Sequence, residues 1–221
     1  MTIRHKVAAT VLITAATLGC AAIPASALGA PAAVAAPSSV AISGNDGLAL
    51  YARNALDEWA LHAASGDARS LANFASLCDA VAGEAARRLM LDPAAMQAAW
   101  RKADSSHQVA LIAAFSQLGT PYRRNTAKPG VGLDCSGLTS WSWAQAGTTL
   151  ARQSGSQIRA AKAVTRETAQ AGDLVYYPGH VSMYLGIDNA IIHSPFTGRT
   201  VEVSFISKRK ADSARFGNPI G

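Results

Sequence analysis

Residues 173–193 read DLVYYPGHVSMYLGIDNAIIH, and this stretch decides the fold. Three short apolar runs, Asp173 to Tyr177, Val181 to Leu185 and Ala190 to His193, are separated by Pro178-Gly179 and by Gly186-Ile187-Asp188-Asn189. Runs of this length bounded by turn residues predict antiparallel strands. In the second run Val181, Met183 and Leu185 share one face, and His180, Ser182 and Tyr184 share the other. If all four residues 186–189 form the loop, Leu185 pairs with Ala190 and Ser182 stands opposite His193. His180 is then the diagonal neighbour of His193, within about 7–8 Å. A two-residue loop puts Tyr184 opposite His193 and lengthens the gap without changing the face. Thr200 to Ile206 supplies a fourth strand, so the C-terminal half reads as a compact α+β unit with an antiparallel sheet.

Upstream of the sheet the apolar period changes to that of helices. Residues 105–118 carry Leu111, Phe115 and Leu118 on one face and are stopped by Gly119 and Pro121. Between Asp46 and Ala103, Leu48, Tyr51, Ala55 and Trp59 form one stripe, and Phe74, Cys78, Val81, Ala85 and Leu89 a second. Asp92-Pro93 reads as a cap and first-turn proline for a helix that turns Met96 and Trp100 inward. Residues 28–42, rich in Ala, Pro and Ser, read as a linker. Residues 1–27 read as a secretory signal peptide, with Arg4, His5 and Lys6 before an apolar stretch and cleavage after Ala25-Ser26-Ala27. A membrane anchor and acylation at Cys20 are the alternatives. The expected order is therefore signal 1–27, linker 28–42, helical region 43–104 and a sheet-bearing domain over 105–216.

The chain of 221 residues is 49% hydrophobic and 15% charged, which excludes wholesale disorder. Its net charge of +6 suits an anionic polymer, but the basic residues do not cluster as a nucleic-acid-binding face requires. Lys208-Arg209-Lys210 reads as a solvated surface segment.

Chemistry concentrates at Asp134-Cys135-Ser136-Gly137-Leu138, which follows a glycine-rich approach and opens a helix ending near Ala146-Gly147. Asp134 fits the N-cap and puts Cys135 in the first turn, where the helix dipole favours thiolate and free N–H groups can stabilise an oxyanion. The structural alternatives are a buried cysteine or a disulfide with Cys78, itself read as a core residue. A sulfur nucleophile needs a base. His62 and His107 fall on helices elsewhere and read as surface residues, which leaves His180 and its neighbour His193. Cys135, His180 and His193 are also possible zinc ligands, but no closely spaced ligand pair accompanies them.

Pro121-Tyr122, Asp134 to Leu138, Ala171-Gly172-Asp173-Leu174-Val175-Tyr176-Tyr177, Gly179-His180-Val181, Tyr184-Leu185-Gly186 and Ile192-His193-Ser194 together resemble the NlpC/P60 cell-wall cysteine peptidases in order and spacing. The resemblance covers residues 106–207. It implies a papain-like fold, with a nucleophile helix packed on an antiparallel sheet, and no cofactor. It also implies Cys135 as nucleophile, His180 as general base and acid, and His193 as the residue that orients His180. Tyr122, Asp134, Ser136 and Arg152 would line the substrate groove, with Gln157 bordering it. The implied substrate is the peptide stem of peptidoglycan, cut between D-glutamate and the diamino acid outside the cytoplasm. A non-catalytic wall-binding protein, or an amidase or transferase on the same scaffold, is the competing reading.

Overall fold

The computed structural model describes residues 46–221; the expected signal peptide, the linker and Cys20 lie outside the described residues. Four helices come first: α1 (Gly47–Ser65), α2 (Ala68–Arg88), α3 (Pro93–Lys102) and α4 (Ser105–Ser116). Each of the first three begins at an aspartate whose carboxylate accepts a backbone N–H of the first turn, Asp46 from Leu48, Asp67 from Arg69 and Ser70, and Asp92 from Ala94. These caps satisfy donors that the helix itself leaves orphaned. The stripe Phe74, Cys78, Val81, Ala85 and Leu89 is buried throughout, as are Met96 and Trp100. On α1 Leu48 and Ala55 of the expected stripe are buried and Trp59 packs against the core, but Tyr51 is 54% exposed, and Ala49 and Ala52 are fully buried instead. Here the small side chains face the neighbouring helices, so the ring at 51 is displaced to solvent.

Next come a two-stranded ribbon, β1 (Ala127–Lys128) with β2 (Gly132–Leu133), then α5 (Cys135–Gln145) and α6 (Ser154–Ala160). A six-stranded sheet follows, built from β3 (Lys162–Val164), β4 (Leu174–Tyr177), β5 (His180–Tyr184), β6 (Ala190–His193), β7 (Glu202–Phe205) and β8 (Arg215–Asn218) in the order β3-β8-β4-β5-β6-β7. Every pairing in it is antiparallel. The four-strand expectation thus gains β3 and β8, and β8 inserts beside β4. A short helix, α7 (Lys208–Ala211), leads into β8 and carries the exposed basic run.

Alternation along the strands divides the sheet into two faces. Leu174, Val181, Met183, Leu185 and Ile192 join the main core with Leu138 and Trp143 of α5. Val175, Tyr177, Tyr184, Ile191 and Phe216 form a smaller cluster on the other face. Helices α1–α3 belong to the same main core as α4, α5 and the sheet. Across that core the Trp100 indole N–H donates to the Leu185 carbonyl at 3.1 Å, and the Arg53 guanidinium donates to the Ser116 carbonyl at 3.1 Å. Trp100 also packs edge-on against Phe115, with ring centroids 5.3 Å apart. The arrangement is α+β, with the Cys135 helix lying against an antiparallel sheet and a helical region before it. None of the described helices is long and apolar enough to cross a membrane.

Trp100→Ala removes a buried aromatic ring and its hydrogen bond at this seam. Urea denaturation is expected to show a loss of about 3–5 kcal/mol. A loss below about 1 kcal/mol would show that the helical region does not share the stability of the sheet.

Candidate active site

Helix α5 starts on Asp134, whose Oδ1 accepts the Gly137 N–H at 2.7 Å. Gly137 cannot carry a side chain, since a Cβ there would lie 2.3 Å from the Thr126 carbonyl oxygen. The Asp134 N–H donates to that same Thr126 oxygen, so the strand end and helix start are fixed together. This leaves Cys135 at the first helical position, partly buried and not in a disulfide; Cys78, fully inside the core, is also free. The N–H groups of Val181, Ser136 and Cys135 itself favour the thiolate, but burial outweighs them and pushes the thiol up. The Val181 contact brings the start of α5 to the start of β5. Burial first, and then the charge of Cys135, also raise the hydroxyls of Tyr122 and Tyr177, so both rings neighbour the thiol.

The β5–β6 register pairs Met183 with Ile192 and Tyr184 with Ile191. Leu185 N–H donates to the Ala190 carbonyl at 2.9 Å, closing the four-residue loop. Gly186 (φ +92°) and Asp188 (φ +50°) take left-handed conformations within it. This is the register that makes His180 and His193 diagonal neighbours, and their rings close to 2.9 Å between His180 Nε2 and His193 Nδ1, set edge to face. Tyr177, opposite His180 across the Pro178-Gly179 turn, stacks on it with centroids 5.1 Å apart. Lys210 sits over the Tyr177 ring at 4.3 Å. Burial, and then the positive charge of Lys210, hold the His180 imidazolium down to about 4. Burial, then His180, Arg199 and Lys210, hold His193 down to about 3. Both rings are therefore neutral at pH 7.

Around Asp134 the structure gathers three expected groove residues into one cluster. Arg152 donates to both Asp134 oxygens, at 2.9 and 2.6 Å, and to Ser136 Oγ at 2.9 Å. Of these three side chains Arg152 is the one turned outward, at 42% exposed against 9% for Asp134. Gln157 is a correction: it is 1% exposed and does not border the groove. Its amide donates to the carbonyls of Ser136 and Ala151 and accepts from the Thr139 hydroxyl, which ties α6 to α5.

His107 is a second correction. Its expected surface position is wrong, since the side chain is fully buried, 2.9 Å from Asp173 Oδ1 and edge-on to Trp143. Asp173 also accepts the Gln170 N–H at 2.8 Å, and Gly172 (φ +101°) lies against His107, where a Cβ would approach to 2.9 Å. This polar seam joins α4 to the start of β4 and packs beside α5. Sequence reading also missed Ser204 and Glu202 on β7, which adjoin His193 Nε2 at 3.0 and 3.7 Å. Their only signal is the alternation of the strand that carries them.

Among the described residues no group of three or more His, Cys, Asp and Glu side chains is placed to hold a metal ion. A concavity of about 760 Å³ lies on the far side of the sheet from α5, between Val164, Arg166, Asn189 and Phe216. Its lining includes none of Tyr122, Cys135, Arg152, His180 and His193.

A free cysteine at a helix N-terminus, with a histidine pair on the adjoining antiparallel sheet, is an arrangement of the kind papain-like cysteine enzymes use. Residues 119–217 match the profile of the NlpC/P60 family. A bifunctional muramidase/DL-endopeptidase, CwlT, of Bacillus subtilis is 38% identical over 88 residues, 36% of this chain and 27% of the relative. A gamma-D-glutamyl-L-lysine dipeptidyl-peptidase of Bacillus cereus is 40% identical over 94 residues, 39% of this chain and 28% of the relative. An NlpC/P60 family protein of known structure from Bacillus cereus superposes with a TM-score of 0.47 at 31% identity, over 51% of this chain and 39% of that one. The chain spans about half or less of the length of the curated relatives it matches first.

Two outcomes test this site. In a Cys20→Ser chain, titration of the native protein with a thiol reagent is expected to modify Cys135 alone, with Cys78 reacting only on unfolding. Prompt reaction of both would contradict the burial of Cys78. The second outcome concerns pH. The unfolded chain protonates histidine near 6.5 whereas the native rings stay neutral until about 4 or below, so the unfolded state binds more protons in that window. The contribution of the pair to stability is therefore complete above pH 6.5 and lost as pH falls through 6.5 toward 4. Urea denaturation across this range is expected to give a slope that His193→Gln flattens; an unchanged slope would place the pair in solvent.

Proposed function

We propose that the chain is an extracytoplasmic cysteine endopeptidase that cuts peptidoglycan stems between the γ-carboxyl of D-glutamate and the diamino acid. The observation that carries this is the joint placement of a free Cys135 at a capped helix N-terminus and the His180–His193 pair across one hairpin. The curated relatives support the bond class, since their names describe DL-endopeptidase and γ-D-glutamyl dipeptidyl-peptidase activities. Each of those proteins extends well beyond the matched segment, so the substrate is carried over here as a reading of the shared domain.

In this reading Cys135 is the nucleophile and His180 the base. His180 Nε2 is engaged by His193, which leaves Nδ1 to take the thiol proton. The raised thiol and the lowered imidazole favour an uncharged resting pair. Proton transfer then accompanies attack on the γ-amide carbonyl. N–H groups at the start of α5 stabilise the oxyanion, and His180 returns the proton to the departing amine. Water activated by the same imidazole hydrolyses the thioester. Tyr122 stands beside the thiol, and Arg152, oriented by Asp134 and Ser136, presents cationic surface to the carboxylates or amide oxygens of the stem. His193 orients His180. No cofactor enters any of these steps. The helical region acts as a brace, because its side chains complete the core under the sheet.

A non-catalytic wall-binding role is the second reading, and a disulfide consuming Cys135 would have favoured it; Cys135 is free. Digestion of purified diaminopimelate-containing muropeptides by the wild type is expected to release fragments ending in D-glutamate, identified by mass spectrometry. Cys135→Ala is expected to lower kcat by at least about 10³-fold. Because His180 stays neutral below pH 6.5, the acid limb of kcat/KM is expected below that value. Binding of muropeptide without turnover at any pH would favour the wall-binding reading.

A further inference from the structure

The histidine pair does not end at His193. Glu202 stands opposite His193 in the β6–β7 register, and Ser204, two residues along the same strand, shares its face. Ser204 Oγ lies 3.0 Å from His193 Nε2, a hydrogen bond, and Glu202 Oε1 lies 3.7 Å from the same nitrogen, a carboxylate approach longer than a hydrogen bond. The carboxylate is held from its other side by Arg199, whose guanidinium donates to both oxygens at 2.7 Å.

A neutral imidazole carries one N–H and one lone pair, so the 2.9 Å contact between His180 Nε2 and His193 Nδ1 can be made in two ways. If His180 donates from Nε2, its Nδ1 keeps a lone pair and can accept the thiol proton. If His193 donates from Nδ1, His180 carries its proton on Nδ1 and cannot act as a base there. Ser204 does not decide between them, because a hydroxyl donates or accepts equally well. A carboxylate only accepts. Placed beside His193 Nε2, it favours the proton on that nitrogen and leaves the lone pair on Nδ1, which in turn selects the productive form of His180.

We propose that Glu202, oriented by Arg199 and acting with Ser204, is a positioning residue that fixes the tautomer of His193 and through it that of His180. This rests on the proposed role of His180 as base; the tautomer assignment itself does not. In the reacting step the Sγ–H bond of Cys135 breaks, its electron pair stays on sulfur and forms the bond to the carbonyl carbon, and the π pair of the C=O bond moves to oxygen to give the oxyanion. The proton goes to His180 Nδ1, and the imidazolium so formed keeps its Nε2–H directed at His193. The charged groups facing the pair come from four elements or turns. Lys210 of α7 and Arg199 before β7 oppose the imidazolium, Tyr177 of β4 stacks on His180, and Glu202 of β7 is, among the described residues, the one carboxylate within 4 Å of His193. The same carboxylate that selects the tautomer therefore also offsets two nearby cations when His180 takes its proton.

The test is a two-bond ¹⁵N–¹H correlation spectrum of the full chain labelled at histidine, at pH 7, for the wild type, E202Q, S204A, S204T and the double variant E202Q/S204A. Kinetics on muropeptides are measured alongside. The wild type is expected to show Nε2–H tautomers for both His180 and His193, and the double variant a population of His193 with the proton on Nδ1. Its kcat is expected to fall about ten-fold or more with KM unchanged, its acid limb is expected to shift, and S204T is expected to recover most of the loss seen in S204A. An Nδ1–H tautomer of His180 in the wild type, or identical tautomers in the wild type and a folded double variant, would overturn the proposal. Should the tautomers shift as expected in a protein that cleaves no muropeptide, the endopeptidase reading fails and the tautomer assignment stands.

Discussion

The hydrogen bond between His180 and His193 depends on a parity. Side chains alternate along a strand, so a slip of one residue between β5 and β6 would send one imidazole to the opposite face of the sheet. The four-residue connection Gly186 to Asn189, with two residues at positive φ, fixes that parity, and the Leu185–Ala190 pair locks it. Once set, the register also assigns Val181, Met183 and Leu185 to the core beneath α5. One loop geometry thus decides both which face is buried and which face carries the imidazoles.

Packing then brings the cysteine, from a different part of the chain, to Val181 and Tyr177, the neighbours of His180. Asp134 serves two structural ends at once, accepting a helix N–H and a bidentate guanidinium, and this double engagement holds Arg152 at the surface beside the thiol. The electrostatics favour neutrality. Burial raises the thiol and lowers both imidazoles, with two cations adding to the second effect, so the site avoids a standing ion pair in a partly desolvated place. In the proposed mechanism, charge separation is deferred to the moment at which an acceptor carbonyl is present. The helical region belongs to the same account through Trp100, whose N–H reaches the Leu185 carbonyl at the end of β5.

Local signals carried much of this. Loop composition and alternation were enough to place His180 beside His193, and an aspartate before Cys135 followed by Gly137 marked a helix start. The second helical stripe was legible because its residues are large and regularly spaced. The first was misread at Tyr51, since helices that approach through Ala49 and Ala52 bury small side chains that periodicity undervalues. β3 and β8 were illegible because each spans only three or four residues, and β8 includes Gly217 and Asn218, poor strand formers that pairing overrides. His107 was misplaced because its partner Asp173 lies 66 residues away. Glu202 and Ser204 needed the β6–β7 register, which no turn signal announced.

The claim on which the rest turns is that Cys135 attacks the γ-glutamyl carbonyl. The most direct measurement is intact-mass and peptide-mapping analysis of the protein after exposure to a γ-D-glutamyl stem peptide whose scissile amide is replaced by a diazomethyl ketone. The account predicts one adduct, on Cys135, with loss of muropeptide hydrolysis in proportion to labelling. Muropeptide hydrolysis that persists while Cys135 is fully labelled would contradict it.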